Sequence, residues 1–553
     1  MKKNLLKVIS MLCVLTVSAP MVACGGGGNK EDVAVDKTKA QLYVSNYDGG
    51  IGSDWLRDEV IPRFQEEFAG KEFIPGTKGV QVWVTPHRKG LADIGPKLST
   101  AKEEIYFLED VNYYQGIAEG YFLDITDIVT QPLTAYGETQ SIEDKLYEDQ
   151  VEFYKAPNGK YYGLPHSQSP TLLTYDADLF EENRLYFGAD GKLGKNSTDA
   201  LSNGPDGKPN TYDDGMPATY ADFFKLCERM TKLGIAPMIW SGAYPFYSTD
   251  FSIGLRADFE GAEAGLAYSF EGTATHLVAF DENGKAMIDK DGNITYRDPV
   301  EITVENGYEV FTSAGYYYAY SFMETIYKNH YYSDYSFNEG VSHEGAQDYF
   351  LLANKDNDMQ DIGMIVEGVY WVNEAKQTFK DMSFYPNSSL QERNLKIMPM
   401  PKATEAQIGE TPTFMDSLNH LAFISAYIDE EKVELAKTFL QYCETQKSLE
   451  NFLLNTNLTR CYNVDYSKVY DSLSPYTKSL LDTFENARYF FPASSKEIFQ
   501  KNYNEFSKYY DMGTPANGRD PMWTIKDNGY TALDLFYAKK AQHTKENWLA
   551  KLN

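Results

Sequence analysis

The sequence predicts an α/β fold with at least two lobes, because strands alternate with helices near the N-terminus and because the chain is long. Residues 41–45, 80–84 and 104–108 have strand character, and an amphipathic stretch lies between the first two, with apolar residues at spacing four over 56–68. Strands that alternate with helices are typical of a mostly parallel sheet covered by helices. A chain of 553 residues also exceeds one compact domain. We therefore expect two or more α/β lobes.

Further elements follow from local signals. Pro62 lies inside the first amphipathic stretch and predicts a kink or a helix restart there. Thr219 followed by Asp222 forms a capping box ahead of an amphipathic helix. A helix is predicted from Asp429 to Cys443, whereas residues 255–310 are polar and mixed and predict strands and loops. The last hundred residues look mainly helical, and no repeat with a period of about 20–50 residues is found.

The N-terminus has the pattern of a secretory signal peptide over residues 1–23, with a basic start and a short apolar core. That core is shorter than the ~20 apolar residues of a membrane span. The residues before Cys24 resemble the lipobox of bacterial lipoproteins, which implies lipidation of Cys24. Residues 24–38 then form a flexible tether. The alternative is a plain signal peptide with an incidental cysteine. The first reading places the protein on the extracellular face of the cell membrane, held by a lipid anchor.

The net charge and the aromatic content of the chain limit the classes of ligand that it can bind. The net charge is −29, and removal of residues 1–23, with three lysines and no acids, makes it −32. Nucleic acid, anionic lipid and polyanions are repelled by such a chain, while neutral sugars and cations remain. The 43 tyrosines outnumber the 31 phenylalanines. Tyrosine is favoured where a ring packs on one side and meets a polar partner on the other, as with sugars. A tyrosine-rich surface is the alternative explanation.

Cysteines and acidic turns raise two smaller questions. Cys227 and Cys443 fall on apolar helix faces and are interpreted as buried thiols, while a bridge between Cys443 and Cys461 stays open. Closely spaced oxygen ligands between residues 206 and 215, with Asp190 nearby, match the preference of Ca²⁺ for oxygen. We predict a structural calcium loop; the alternative is an Asx-rich turn held by its own hydrogen bonds. The predicted metal ligands are Asp206, Asn210, Asp213 and Asp214.

Several stretches, taken in order, resemble the carbohydrate-binding family of extracellular solute-binding proteins that includes the maltose-binding protein. They are residues 174–180, 217–223, 363–371, 397–402 and 421–425, followed by the alanine-to-leucine pattern at 436–440. The Asn46-Tyr-Asp-Gly-Gly loop is similar to that of the large lipoprotein subtype. The chain departs from the simplest members by an insertion near 188–217 and a C-terminal extension.

The resemblance implies a periplasmic-binding-protein-like type II fold, in which two α/β lobes exchange chain segments through hinge crossovers around a ligand cleft. It divides the chain as follows: residues 39–168 form the first part of lobe 1, residues 169–410 the first part of lobe 2 with the insertion, residues 411–465 the return to lobe 1, and residues 466–553 a helical part mostly in lobe 2. It also implies a carbohydrate ligand, membrane-embedded ABC permease partners, a monomer, and no required cofactor.

Ligands of open α/β sheets bind at the carboxyl ends of the strands. This rule selects loops after the predicted strands, each with an aromatic residue and polar groups. Aromatic rings would cover sugar faces, with Trp371 prominent, and carboxylates would accept from sugar hydroxyls. The predicted ligand-binding residues are Asp48, Asp110, Asn112, Tyr113, Trp240, Tyr244, Glu367, Tyr370 and Trp371.

The predicted function is thus capture of an oligosaccharide or monosaccharide for import, without catalysis. A glycoside hydrolase needs two carboxylates that flank the bond, and abundant acids make pairs such as Asp110 with Glu367 uninformative. No Gly-x-Ser-x-Gly or His-Glu-x-x-His motif occurs. A surface glycan-binding lipoprotein that is not coupled to transport is the other alternative, and capture of peptides or another solute stays open.

Overall fold

The computed structural model describes residues 34–552 except 269, 271, 291, 356–357, 416–419, 491–511 and 514–519. The predicted signal peptide, Cys24 and most of the predicted tether lie outside the described residues. Within the described part, no helix is both long and apolar enough to cross a membrane. The strands are β1 (Ala40–Tyr47), β2 (Val80–His87), β3 (Ile105–Leu108), β4 (Leu164–Pro165), β5 (Thr171–Asp176), β6 (Tyr186–Phe187), β7 (Leu193–Lys195), β8 (Ala236–Ile239), β9 (Thr273–Ala274), β10 (Val300–Glu301), β11 (Ile362–Gly368), β12 (Leu395–Ile397), β13 (Thr413–Met415), β14 (Leu421–Ile424) and β15 (Arg488–Phe490).

The helices cover the sheets and include most of the described residues after residue 474. A π-helical stretch, α1, leads directly into α2, and Pro62 lies in the first turn of α2. The sequence predicted a kink or a restart here; the backbone stays helical at Val60 and Ile61, and the helix changes from π to α. The helices are α1 (Trp55–Val60), α2 (Ile61–Glu67), α3 (Leu91–Ile94), α4 (Tyr113–Ala118), α5 (Thr126–Thr130), α6 (Glu148–Tyr154), α7 (Ala177–Asn183), α8 (Tyr220–Lys232), α9 (Phe246–Glu260), α10 (Ala262–Tyr268), α11 (Ala314–Lys328), α12 (His343–Ala353), α13 (Trp371–Glu374), α14 (Lys376–Asp381), α15 (Val433–Cys443), α16 (Gln446–Thr456), α17 (Pro475–Glu485), α18 (Pro521–Asn528), α19 (Ala532–Gln542) and α20 (Lys545–Leu552). Single 3₁₀ turns lie at Gly95–Thr100, Thr134–Tyr136, Glu143–Lys145, Gly307–Thr312, Asp334–Phe337, Glu405–Gln407, Glu430–Lys432 and Tyr470–Ser472.

The first lobe is built on a five-stranded sheet in the order β2-β1-β3-β14-β4. β1 pairs in parallel with both β2 and β3, as the alternation of strands and helices predicted. β14 returns from far along the chain and runs antiparallel to β3 and β4. The carboxyl ends of β1, β2 and β3 therefore meet at one edge of this sheet.

The second lobe contains a four-stranded sheet in the order β12-β5-β11-β8. Its central strand β11 is buried at every position, because β5 and β8 flank it and helices cover its faces. Thr219 is the N-cap of helix α8, as predicted: its hydroxyl accepts from the Asp222 amide and donates to the Asp222 carboxylate. The loop that follows β11 places Tyr370 against Gly50 of the first lobe.

Helix α9 is the main secondary-structure element that the sequence did not predict. Residues 255–268, expected to be strands and loops, instead continue α9 and form α10. Polar side chains on α9 are buried with partners, so its apolar pattern is interrupted. Asp258, for example, is 5% exposed and pairs with Lys402 at 2.8 Å.

Among the described residues, the chain passes between the lobes near residues 165–171, again between β13 and β14, and near residues 457–474. β13 lies against β15 and α9, so the second passage follows β13, whereas the sequence had placed this boundary at 411. Arg460 is fully buried and donates to the carbonyl oxygens of His166 and Pro165, which ties two passages together. None of the described cysteines is in a disulfide, so Cys443 and Cys461 are not bridged.

Candidate functional site in the cleft between the lobes

A cleft of about 550 Å³ lies between the two sheets, and both lobes and two interlobe passages line it. This volume falls within the range of about 300–1,000 Å³ that small-molecule sites occupy. The first lobe contributes Tyr47, Gly49, Gly50, Arg88, Glu109 and Asp110; the second contributes Thr171, Leu172, Phe246, Tyr247, Asp250, Gly254, His343, Tyr370, Glu374, Phe414 and Met415; the passages contribute Ser169, Pro170 and His420.

The loop after β1 meets Tyr370 of the second lobe. Gly50 has a φ of 55°, and a Cβ at this position would lie 2.7 Å from Cδ2 of Tyr370. Gly49 likewise leaves space for the ring of Tyr47, since its Cβ would lie 2.3 Å from Cε1 of that ring. The two glycines of the loop thus allow two tyrosine rings, one from each lobe, to lie close to the cleft.

Two acids follow β3 at the same edge of the first sheet. Asp110 is exposed in the left-handed conformation with a φ of 54°. Burial raises the pKa of Glu109 to about 8, and the nearby carboxylates of Asp110 and Glu374 raise it further, while a hydrogen bond with Tyr47 opposes them. Because its carboxyl group holds a proton near neutral pH, Glu109 can both donate and accept in the cleft.

A second acidic group lies on the opposite wall. The Gln347 amide nitrogen donates to Oε1 of Glu367 at 3.3 Å and to Oε2 of Glu374 at 2.8 Å. His343 Nε2 lies 3.6 Å from Oε1 of Glu374, and this hydrogen-bonding carboxylate raises the pKa of His343. Glu367 is 2% exposed, and burial raises its pKa well above the ordinary value. Glu374 and His343 therefore face the cleft, and Glu367 supports them from behind.

One face of α9 forms another part of the wall. Phe246, Asp250 and Gly254 follow each other at spacing four and share that face. Tyr247, beside them, is 3% exposed and lies within hydrogen-bonding reach of Glu367 and Tyr370. α9 thus brings an aromatic ring, a carboxylate and a glycine to the cleft wall.

His420 closes the cleft at the passage between the lobes. Its Nδ1 lies 3.2 Å from Oγ of Ser169 and 3.4 Å from Oγ of Ser167. Burial lowers the pKa of His420 to about 4, so the ring is neutral at physiological pH. It supplies a polar group without a charge at the hinge.

Among the predicted ligand-binding residues, Asp110 and Tyr370 line the cleft. Tyr244 lies beside the cleft, with its ring 5.4 Å from that of His343. Asp48 accepts from Oγ of Ser53 at 2.9 Å within its own loop, where its neighbours Tyr47 and Gly49 take the lining positions.

Asn112, Tyr113 and Glu367 have structural positions instead. Asn112 caps α4 by accepting from the Gln115 amide. Tyr113 is 1% exposed and donates to the Tyr154 carbonyl, so its ring belongs to the core. Glu367 lies behind the lining.

Both predicted tryptophans are in the core, which corrects the expectation that they stack on a ligand. Trp371 is fully buried, and its Nε1 donates to Oγ1 of Thr174 at 3.2 Å. Trp240 is 1% exposed and packs against the rings of Tyr332 and Phe337.

Sequence reasoning did not select several lining residues. Tyr47 and Glu374 lie next to or near the predicted positions, and the rule that loops after strands bind ligands could have found them. Phe246, Tyr247 and Asp250 lie on α9, which had no clear helical signal. His343 begins α12, and no motif marks it.

The acidic loop at 206–214 holds its shape through its own hydrogen bonds. Asp213 accepts from the Asp206 amide at 2.8 Å and from Oγ1 of Thr211 at 2.7 Å. Asp214 accepts from the Asn210 amide at 2.8 Å. No group of three or more His, Cys, Asp or Glu side chains in the described part of the chain is placed to hold a metal ion. These hydrogen bonds are those of the Asx-turn alternative. Calcium binding by the loop stays a prediction.

Comparison with known proteins places the fold. No protein-family model matches the chain, and no curated protein matches it in sequence. The solved structure of the solute-binding protein RafE in complex with raffinose is 12% identical with a TM-score of 0.53, covering 92% of this chain and 100% of that one. A chitin oligosaccharide binding protein is 12% identical with a TM-score of 0.51, covering 91% and 100%. At this identity the similarity is one of fold, and the chain has the predicted two-lobed type II fold of solute-binding proteins.

Proposed function

We propose that the protein is the substrate-binding lipoprotein of an ABC transporter and captures an oligosaccharide or monosaccharide for import. The observation that carries this proposal is the cleft, where aromatic rings and carboxylates from both lobes surround one space. The two solved structures of the same fold named above are described as binding raffinose and chitin oligosaccharide.

The lining chemistry fits a neutral sugar. Tyr47, Phe246 and Tyr370 line the cleft with aromatic rings that suit the apolar C–H faces of a pyranose. Carboxylates such as Asp110 accept hydrogen bonds from hydroxyl groups. The acids of the cleft repel a polyanion, in agreement with the net charge of −29.

The expected affinity suits capture followed by release. A disaccharide has about 23 non-hydrogen atoms, and ~0.3 kcal/mol per atom gives about 7 kcal/mol of binding free energy. This corresponds to a dissociation constant in the micromolar range. Closure of two lobes over the ligand would present one liganded shape to a permease.

Binding tests the proposal directly. The soluble protein without its leader is titrated calorimetrically with raffinose, maltooligosaccharides and chitooligosaccharides, and its melting temperature is recorded with each. At least one saccharide should bind and raise the melting temperature. Tyr370→Ala should weaken that binding by about 10- to 100-fold, because the ring loses its buried contact with the ligand.

The matched control is Tyr427→Ala, which removes a tyrosine that is 50% exposed and does not line the cleft. Its affinity should equal that of the unsubstituted protein. Lack of binding across the saccharide panel would refute the proposal. Release of reducing ends from a bound glycan would instead favour the glycoside hydrolase alternative.

The anchor, the partners and the absence of catalysis belong to the same proposal. Cys24 would carry the lipid, the tether would reach from the membrane, and monomers would dock on the permease subunits. Palmitate labelling of cells should mark the full-length protein and not Cys24→Ser. An unlabelled wild-type protein would contradict the anchor without touching the sugar-binding proposal.

A further inference from the structure

Two exposed aromatic rings lie at the outer edge of the cleft, Phe246 as a lining residue and Tyr244 beyond it. Phe246 is 48% exposed and Tyr244 is 43% exposed. Single exposed apolar residues need no explanation, but rings grouped beside a binding cleft indicate contact with a ligand or partner. The two ring centroids are 6.1 Å apart.

These rings continue a row that begins inside the cleft. The buried ring of Tyr247 lies 4.4 Å from that of Phe246, and both line the cleft. Tyr244 comes next and does not line it. The ring of Tyr244 also contacts that of His343, a lining residue, at 5.4 Å. The row therefore runs without a break from the interior to the surface.

The backbone beneath the row is held in place. The Tyr244 amide donates to Oγ of Ser241 at 3.1 Å, and that hydroxyl donates to the Val341 carbonyl at 3.0 Å. A Cβ on Gly242 would lie 2.2 Å from the Asn338 carbonyl oxygen, so the two loops are in close contact. Rings on such a support lose little freedom when a ligand binds, which favours affinity.

The patch is too small for a protein partner. A stable protein interface buries about 800 Å² on each side, far more than two partly exposed rings provide. Its rings can pack against the apolar face of a sugar. Asp250, which lies one helical turn after Phe246 and lines the cleft, can accept hydrogen bonds from the hydroxyl groups of the same sugar. A ligand that already fills the cleft would reach the patch by continuing outwards.

We propose that Phe246 and Tyr244 form an aromatic ledge that binds the outer units of a linear oligosaccharide, so that the preferred ligand is longer than the cleft encloses. This inference rests on the proposed function and specifies its substrate class.

The test measures affinity against ligand length. Maltooligosaccharides and chitooligosaccharides from disaccharide to hexasaccharide are titrated into the soluble protein by calorimetry. Affinity should rise with length beyond the disaccharide in whichever series binds. Tyr244→Ala should lower the affinity for the longer members by between about twofold and tenfold and leave the disaccharide unchanged.

Two further variants separate the ledge from the cleft. Tyr370→Ala should weaken every length by a similar factor, and Tyr427→Ala should weaken none. The ledge is refuted if saccharides bind but their affinity does not depend on length, or if Tyr244→Ala binds every length like the unsubstituted protein. If raffinose binds and neither linear series binds at any length, the ledge is refuted and the proposed function stands; if raffinose does not bind either, both are refuted.

Discussion

Tyr370 and Trp371 are neighbours in sequence, and the structure gives them different roles that substitution can separate. Trp371 is fully buried, its Nε1 donates to Thr174, and its ring packs edge-on against Phe350 at 5.9 Å and Tyr476 at 6.1 Å. Removal of a buried tryptophan side chain leaves a cavity and costs about 3–5 kcal/mol. Trp371→Ala should therefore lower the free energy of unfolding by this amount.

Urea unfolding followed by circular dichroism is the suitable measurement, because the substitution removes one of six tryptophans and so disturbs fluorescence. Trp371→Phe keeps an aromatic ring in the cavity, so its free energy of unfolding should decrease clearly less than that of Trp371→Ala. At a temperature where Trp371→Ala is folded, its affinity for the saccharide should stay within about threefold of the unsubstituted protein, since Trp371 is fully buried and its ring partners Phe350 and Tyr476 do not line the cleft.

Tyr370→Ala should behave in the opposite way. Its ring lies in the cleft against Gly50, so saccharide affinity should drop by about 10- to 100-fold while the free energy of unfolding changes by about 1–2 kcal/mol. If Trp371→Ala were as stable as the unsubstituted protein and bound saccharide weakly, the assignment of Trp371 to the core would be refuted.

Three other predictions follow from single contacts. The raised pKa of Glu109, about 8, means that the folded protein keeps a proton that the unfolded chain loses near pH 4.5, so stability should decrease as pH rises between these values. Glu109→Gln should flatten that slope in unfolding curves measured across this range, and an unchanged slope would contradict the burial of the carboxyl group. Gly50→Ala places a methyl group against Tyr370 at positive φ and should weaken saccharide binding in calorimetry, whereas wild-type affinity would show that the ring moves freely. Lys402→Met leaves the buried Asp258 carboxylate without its ion-pair partner and should cost about 3–5 kcal/mol in urea unfolding; a loss below about 1 kcal/mol would indicate that water reaches Asp258.

The architecture was largely predictable because its signals are local and repeated. Three short strands and one amphipathic helix near the N-terminus predicted a parallel sheet. In the structure β1 pairs in parallel with both β2 and β3. Capping chemistry placed the start of α8. α9 was missed because buried polar residues such as Asp258 interrupt its apolar face, and their partners lie far away in sequence.

The candidate site was predictable only to the level of loops. The rule that ligands bind after the carboxyl ends of strands selected the segments after β1, β3, β8 and β11. Residues from the segments after β1, β3 and β11 line the cleft, whereas the segment after β8, residues 240–244, does not. The rule does not state which residue of a loop faces the ligand. After β11 the chain turns at once into a short helix, so Tyr370 points to the cleft while Trp371 turns back into the core.

Composition cannot decide between two neighbouring aromatic residues, because both kinds of ring serve cores and binding sites. What decides is the space that the backbone leaves. Gly50 and Gly368 carry no side chain at the two places where one would collide with the ring of Tyr370. The ring of Tyr370 therefore fits between two glycines: Gly368 precedes it in the second lobe, and Gly50 faces it from the first lobe. Gly50 and Gly368 lie far apart in the sequence and approach the same ring only in the folded protein. The sequence alone therefore could not show that they make room for Tyr370.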